Sequence, residues 1–340
     1  MKRISLGLFL LIFLFQSFDV SSALPREFDS LGPTVQELVN EDGRSIYYID
    51  DGDPNGIPVV FIGGLGTSVR AIRLLDFLRT MRRDLNIRII TVERNGFGQT
   101  NFNKNLSMTD YAIDVEKVLS QLGINRFTIF GISGGGPYAK NIAARNYQRI
   151  ISLHMAATPA SIEQGSSCNT KNNSNPYTDL LAYPMKYFGF PSSSAIHKIE
   201  GFQDTAFDEA ARAHNLRGQA ADPAPLNHEM KLYCLESPLK TVNIKSQLFV
   251  YRGEADQLLI EEPEDAWKNS FPNAQITFRR YPREGHDVQY RHLDQILLDI
   301  ATQSTDVLVC ENGNNILIAQ SDAKKTLANG ATLGLCLWKK

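Results

Sequence analysis

Short apolar runs alternate along this chain with segments whose apolar residues recur at helical spacing. Runs at 58–62, 87–92, 127–132 and 150–156 have the composition of strands buried on both faces. Residues 107–122, between two of these runs, carry apolar side chains at the spacing of an amphipathic helix. The alternation predicts an α/β fold with a mostly parallel, doubly wound sheet.

The alternation stops where Ser, Asn, Pro and Tyr become frequent, at about residue 160. It resumes with an apolar run at 247–251 and ends after a helical pattern near residue 305. We therefore predict a core in two halves, residues 24–159 and 244–305. An inserted, mainly helical cap is predicted between them, at residues 160–243.

The first 23 residues have the composition of a secretory signal. Lys2 and Arg3 precede an apolar run from Leu6 to Phe15, and small residues end at Ala23. The apolar run is about half as long as the ~20 residues that a helix needs to span a bilayer. We expect cleavage near Ala23, a secreted chain (extracellular or periplasmic) and no stable membrane anchor.

Composition and charge narrow the class of partner. The 340 residues include 35 Lys plus Arg against 37 Asp plus Glu, so the formal net charge is -2 at pH 7. Because phosphate binding needs a basic surface, we do not expect nucleic acid as a partner. No CxxC or HxxxH spacing occurs, and we expect neither a metal nor an organic cofactor.

The last segment, residues 306–340, contains three strand-like stretches separated by Asn/Gly turns. It predicts a small C-terminal β-hairpin-like tail. The four cysteines allow three pairings. We predict that Cys310 pairs with Cys336 and Cys168 with Cys234, because this keeps one disulfide within the tail and one within the cap. Free buried thiols are the alternative.

A candidate nucleophile lies in Gly-Ile-Ser-Gly-Gly at 131–135, a G-x-S-x-G sequence between a predicted strand and a predicted helix. Such a turn pushes the Ser133 hydroxyl out at the carboxyl edge of the sheet, and glycines flank it because side chains would not fit. The positive end of the following helix favours an oxyanion there. The alternative is a Gly-rich turn whose serine only caps a helix.

Candidate partners for this serine lie in loops that follow later strands. His286 lies in Arg-Glu-Gly-His-Asp, between the last core strand and the last core helix, and is the predicted general base. Asp256 follows the preceding strand and is the predicted acid that orients the base. Glu254 and Asp287 are its competitors. The resulting order along the chain is nucleophile, acid, base.

An oxyanion hole requires two N–H donors. Gly134, directly after the nucleophile, is one candidate, and Leu65 in the glycine-rich loop 63–66 is the other. A phosphate-binding loop is the alternative for residues 63–66, but no Lys-Ser/Thr pair follows them.

Together these motifs resemble the α/β-hydrolase superfamily, in its cap-bearing serine hydrolase branch. The resemblance covers about residues 40–305 and includes a leading hairpin with DGDPNG at 51–56 and the turn ERNGFGQT at 93–100. Two departures stand out. The family usually has His-Gly where this chain has Gly63-Gly64, and since that His commonly braces the oxyanion loop, we expect a looser loop. Glu93 stands where the family usually has Asp, which we interpret as a structural change.

The resemblance implies acyl transfer by a secreted serine hydrolase, with a small-molecule or lipid-like carboxylic ester as substrate and an acyl-enzyme intermediate. One alternative on the same fold is an aminopeptidase of the proline-iminopeptidase type. It would require an acidic cap side chain to hold a substrate amine, for which Glu200, Asp204 and Glu209 are candidates. A second alternative is a non-catalytic binding protein.

Overall fold

Helices and strands alternate along the first half of the computed structural model, which describes residues 33–160, 224–235, 241–256, 263–282 and 284–336. The strands of its large sheet are β1 Gln36–Val39, β2 Ser45–Asp51, β3 Ile57–Ile62, β4 Ile87–Val92, β5 Phe127–Ile132, β6 Ile150–Ala156, β7 Gln247–Gly253 and β8 Gln275–Tyr281. Their order is β1-β2-β4-β3-β5-β6-β7-β8. The pairs β1–β2 and β2–β4 are antiparallel, and all the others are parallel. The predicted fold class is confirmed.

Helices pack on both faces of this sheet. The described part of the chain contains a 3₁₀ helix Val69–Leu78, a short 3₁₀ turn Ser133–Gly135, α1 Arg79–Asp84, α2 Met108–Gln121, α3 Gly136–Arg145, α4 Ala224–Leu235, α5 Glu264–Ser270, α6 Val288–Arg291, α7 Leu293–Thr302 and, in the C-terminal tail rather than on this sheet, α8 Gln320–Ala328. The 3₁₀ helix and α7 share one apolar cluster with Val59 and Phe61 of β3. The apolar cluster on the opposite face contains residues of α2, α3 and α5 together with Val60 and Ile62 of β3. The β3 residues divide between the two clusters because successive side chains of a strand point to opposite faces.

The turn at 51–56 does not close a hairpin, contrary to expectation. Strands β2 and β3 flank it but are not neighbours, because β4 lies between them, antiparallel to β2 and parallel to β3. Strand β4 is buried at all its positions and β3 at its last four. Such strands need cover on both faces, which the helical crossover between β3 and β4 supplies on one face and α2 and α3 supply on the other. The more exposed β2 takes the outer position.

Part of the predicted chain organisation lies outside the described residues. The parts that lie outside are the expected signal sequence, the segment with Cys168 and most of the predicted cap. Of the predicted cap, residues 224–235 are described and form the helix α4. The Cys168–Cys234 pairing therefore stays a prediction. No helix in the described ranges is long and apolar enough to cross a membrane.

The C-terminal tail is a small antiparallel sheet with a helix. Its strands are β9 Val307–Glu311, β10 Asn314–Ile318 and β11 Thr332–Leu333, in the order β10-β9-β11. Cys310 and Cys336 form a disulfide, as predicted, with Cα atoms 4.9 Å apart. Helix α8, between β10 and β11, was not predicted; only the partly buried Ala323 and Leu327 face the tail's apolar cluster, so its apolar pattern is short and weak.

Candidate active site

Ser133 occupies a strained turn between β5 and α3, with φ of 50°. This left-handed backbone conformation is costly for a residue with a side chain, about 1–3 kcal/mol. The glycines around it are required by close packing. A Cβ on Gly135 would lie 2.5 Å from the carbonyl oxygens of Ile62 and Gly63. The backbone can therefore make the sharp turn that exposes the Ser133 hydroxyl.

The three residues predicted as nucleophile, base and acid meet at the carboxyl edge of the sheet. His286 Nε2 lies 2.8 Å from Ser133 Oγ, and His286 Nδ1 lies 2.8 Å from Asp256 Oδ2. The Asp256 side chain is 1% exposed and that of His286 15%. When Nδ1 carries the proton and donates it to Asp256, the lone pair on Nε2 is free to accept from the Ser133 hydroxyl.

Close contact between two loops brings Asp256, rather than Glu254 or Asp287, against His286. A Cβ on Gly253, at the end of β7, would lie 2.6 Å from the carbonyl carbon of Glu284, and the Ala255 N–H donates to the Glu284 carbonyl at 2.9 Å. This packing holds the Asp256 loop against the His286 loop. Glu254 is exposed, and Asp287 forms an ion pair with Arg291.

The two predicted oxyanion donors lie side by side. A Cβ on Gly134 would be 2.8 Å from the Leu65 nitrogen, and one on Gly64 would be 3.5 Å from Ser133 Cβ. The loop 63–66 therefore runs directly past the nucleophile. The Leu65 amide therefore lies directly beside Gly134, and the shared oxyanion role of the two N–H groups stays a prediction.

The loop with the Leu65 amide is braced by a side chain that the sequence analysis did not single out. Arg94 Nη2 donates to the Gly64 carbonyl, to the Thr67 carbonyl at 3.0 Å and to Thr67 Oγ1 at 2.9 Å. Arg94 thus holds the loop through hydrogen bonds to Gly64 and Thr67, while the expectation of a looser loop stays a prediction. A signal was present, since Arg94 lies within the glycine-rich turn ERNGFGQT.

Helix α4 adds two further residues to this region. Glu229 Oε1 lies 2.8 Å from Arg94 Nη1, and both side chains are buried. Burial raises the pKa of Glu229, while the charge of Arg94 opposes that shift. The Tyr233 hydroxyl donates to the Gly134 carbonyl at 2.5 Å. Glu229 and Tyr233 are four residues apart, so they lie on one side of the helix, a spacing that could have drawn attention to them.

Glu93 has a structural position behind the site. Its Oε1 accepts a hydrogen bond from the Val69 N–H at 3.0 Å, at the start of the 3₁₀ helix. Burial raises the pKa of Glu93 to about 8, partly offset by that bond. The interpretation of the Asp-to-Glu departure as structural agrees with this position.

Comparison with known proteins decides the fold family. No protein-family model matches the chain. An α/β hydrolase fold protein from Nakamurella multipartita superposes with a TM-score of 0.58 at 17% identity, covering 79% of this chain and 98% of the other. A carboxylesterase structure from Nitrososphaera gargenis has a TM-score of 0.56 at 16% identity, covering 79% and 97%. The chain is an α/β-hydrolase-fold protein.

A sequence relative of this α/β-hydrolase-fold protein is a proline iminopeptidase from Xylella fastidiosa. The two are 32% identical over 120 residues, which cover 34% of this chain and 37% of the relative. The match thus spans little more than a third of the curated relative.

The carboxyl ends of the strands in this α/β-hydrolase fold are followed by Ser133, Asp256 and His286. Ligands bind at this edge in open α/β sheets.

Proposed function

We propose that this α/β-hydrolase-fold protein is a serine hydrolase that cleaves carboxylic esters of small molecules or lipids. The observation that carries the proposal is the continuous hydrogen-bonded line from Asp256 through His286 to Ser133, with both links at 2.8 Å. Nucleophile, base and orienting acid in this arrangement are the requirements of acyl transfer. The carboxylesterase neighbour is consistent with an ester substrate.

The proposed reaction proceeds through an acyl-enzyme. Ser133 Oγ attacks the ester carbonyl as His286 Nε2 takes its proton, and the amides of Leu65 and Gly134 stabilise the oxyanion. His286 then protonates the leaving alcohol, and Asp256 stays ionised and stabilises the imidazolium. A water, deprotonated by His286, attacks the acyl group, and the acid product leaves with Ser133 protonated again.

An active-site-directed fluorophosphonate tests the nucleophile. We expect the wild-type protein to be labelled on Ser133, and Ser133→Ala to fold with the same thermal midpoint and remain unlabelled. Equal labelling of the variant would refute the assignment. Failure to label folded wild type would favour the non-catalytic binding protein instead.

The proline iminopeptidase match supports a second candidate function, aminopeptidase activity. That activity needs a carboxylate for the substrate amine, and the predicted candidates Glu200, Asp204 and Glu209 lie outside the described residues. Glu229 is engaged by Arg94 and by the Gly66 N–H.

A panel of p-nitrophenyl esters of graded chain length beside aminoacyl-naphthylamides separates the esterase from the aminopeptidase. We expect ester turnover; cleavage of prolyl-naphthylamide alone would favour the peptidase.

We also propose that the chain is secreted, on the strength of residues 1–23. A disulfide between Cys310 and Cys336 is consistent with an oxidising compartment. Amino-terminal sequencing of the mature protein should begin near Leu24. A non-reducing peptide map should join Cys168 to Cys234; a start at Met1, or Cys168 joined to another cysteine, would contradict these proposals.

A further inference from the structure

Helix α4 contacts both backbone segments that provide the proposed oxyanion donors. On one side, Glu229 Oε2 accepts a hydrogen bond from the Gly66 N–H at 2.6 Å, next to Leu65. On the other, the Tyr233 hydroxyl donates to the Gly134 carbonyl at 2.5 Å. One face of one helix therefore holds two segments that are remote in sequence.

Arg94 extends the first of these contacts into a network. Its guanidinium lies 2.8 Å from Glu229 Oε1, and these side chains are only 4% and 2% exposed. The same guanidinium donates to carbonyl oxygens on either side of Leu65, at Gly64 and Thr67. Separating the partners of a buried ion pair is costly, so this pairing opposes displacement of the loop.

The space at Gly134 shows that the three segments meet closely. A Cβ built there would lie 2.8 Å from the Leu65 nitrogen and 2.8 Å from the Tyr233 hydroxyl. The distance between the 63–66 loop and the turn at Ser133 is thus limited by packing as well as by hydrogen bonds. Helix α4 contacts both the 63–66 loop and the turn at Ser133.

We propose that Glu229 and Tyr233 are positioning residues that set the separation of the Leu65 and Gly134 N–H groups. The oxyanion hole is then assembled only when helix α4 is docked on the core. This inference rests on the proposed serine hydrolase function. Oxyanion donors act because they are fixed before charge develops, and a displacement of about 1 Å can cost roughly 10²-fold in rate.

Tyr233→Phe tests the proposal with the smallest change, since it removes one hydroxyl and keeps the ring. We expect kcat for an ester substrate to fall about tenfold while KM stays within about twofold, because the donors act on the transition state. The inhibition constant of a boronic acid, which forms a tetrahedral adduct with Ser133, should rise by the same factor as kcat falls.

Tyr111→Phe is the matched control. It also removes a buried tyrosine hydroxyl that donates to a backbone carbonyl, that of Val92 at 3.2 Å. We expect its kcat and its boronic acid inhibition constant to remain within about twofold of wild type. A loss common to both variants would mean that any buried hydroxyl matters, and would overturn the proposal.

Glu229→Gln provides the second arm, since glutamine can still accept from Gly66 but leaves Arg94 without its counter-charge. We expect a fall in kcat at least as large as that of Tyr233→Phe, again with a matching loss of boronic acid affinity. If Glu229→Gln does not fold, Tyr233→Phe decides alone. Wild-type kcat and boronic acid affinity in Tyr233→Phe would overturn the positioning role.

The two proposals fail in different ways. If the wild-type protein is not labelled at Ser133 and hydrolyses no ester, the proposed function is wrong, and the positioning role falls with it. If the wild type is labelled and active but Tyr233→Phe behaves as Tyr111→Phe does, only the role of helix α4 is refuted.

Discussion

Replacing Gly253 with alanine should displace the loop that carries His286. The new Cβ would lie 2.6 Å from the carbonyl carbon of Glu284, whereas carbon atoms in contact are ordinarily about 3.5–4.0 Å apart. The neighbour is backbone, so no side-chain rotation relieves the overlap. The loop must therefore move by about 1 Å, and overpacking of this kind costs about 1–3 kcal/mol in the free energy of unfolding.

This shift would lengthen the contacts of His286 with Asp256 and Ser133, because the base is carried two residues beyond Glu284. A misplacement of about 1 Å corresponds to roughly a 10²-fold loss of kcat/KM. The assay is hydrolysis of a short p-nitrophenyl ester, together with urea unfolding to measure stability. Folding must remain cooperative for the kinetic loss to be assigned to the loop.

Gly285→Ala is the control in the same loop. The nearest atom to its Cβ would be Asp287 Oδ1 at 3.5 Å, an ordinary contact. We expect its kcat/KM to stay within about threefold of wild type. Near-wild-type activity of Gly253→Ala, or an equal loss in both variants, would refute the argument that the close approach of Gly253 to Glu284 places the base.

Three further predictions address the acid, the tail and the core. Asp256→Asn should lower kcat by about 10⁴-fold, because the amide no longer fixes the histidine tautomer. Asp287→Asn, the control, should lower kcat less than tenfold. Similar losses of kcat in the two variants would contradict the assignment of Asp256. Replacing both Cys310 and Cys336 with serine should lower the free energy of unfolding in urea by about 3–4 kcal/mol, given the 26-residue separation, and an unchanged midpoint would contradict this. Burial lowers the pKa of His154 to about 3, so the unfolded chain binds a proton near pH 6.5 that the folded chain does not. The stability that neutral His154 contributes is thus present above about pH 6.5 and is lost as the pH falls towards 3. Relative to His154→Phe, the free energy of unfolding of the wild type should fall by up to about 1.4 kcal/mol per pH unit in this range. Equal pH slopes for the two proteins would refute the prediction.

Local pattern was sufficient for most of the sheet. Strands β3 to β7 of the large sheet were predicted from their apolar runs, since burial on a sheet leaves a short-range signature. Strand β1, Gln36–Val39, is mostly exposed at the edge, and α8 has no buried residue. Strand β1 therefore leaves no apolar period to detect, and α8 leaves only the short one of the partly buried Ala323 and Leu327. The neighbours of β2 were mispredicted, because pairing depends on which strand the crossover brings alongside.

The candidate nucleophile and base could be chosen from position alone. Ser133 and His286 each follow a buried strand, and the carboxyl ends of parallel strands share one edge of the sheet, so sequence order already implied that they meet. The acid was less determined. Asp256 and its competitors Glu254 and Asp287 all lie near that edge, and the contact of Gly253 with the Glu284 loop separates them.

By itself, then, the sequence determined the α/β class, the strained serine turn and the candidate residues at the sheet edge, because each depends on neighbours within a few positions. Only the tertiary structure decided what braces the oxyanion loop. The Gly66–Glu229 hydrogen bond joins residues 163 positions apart. Periodicity is silent about such a contact, since it reports which face of an element is buried and not which distant polar group that face meets.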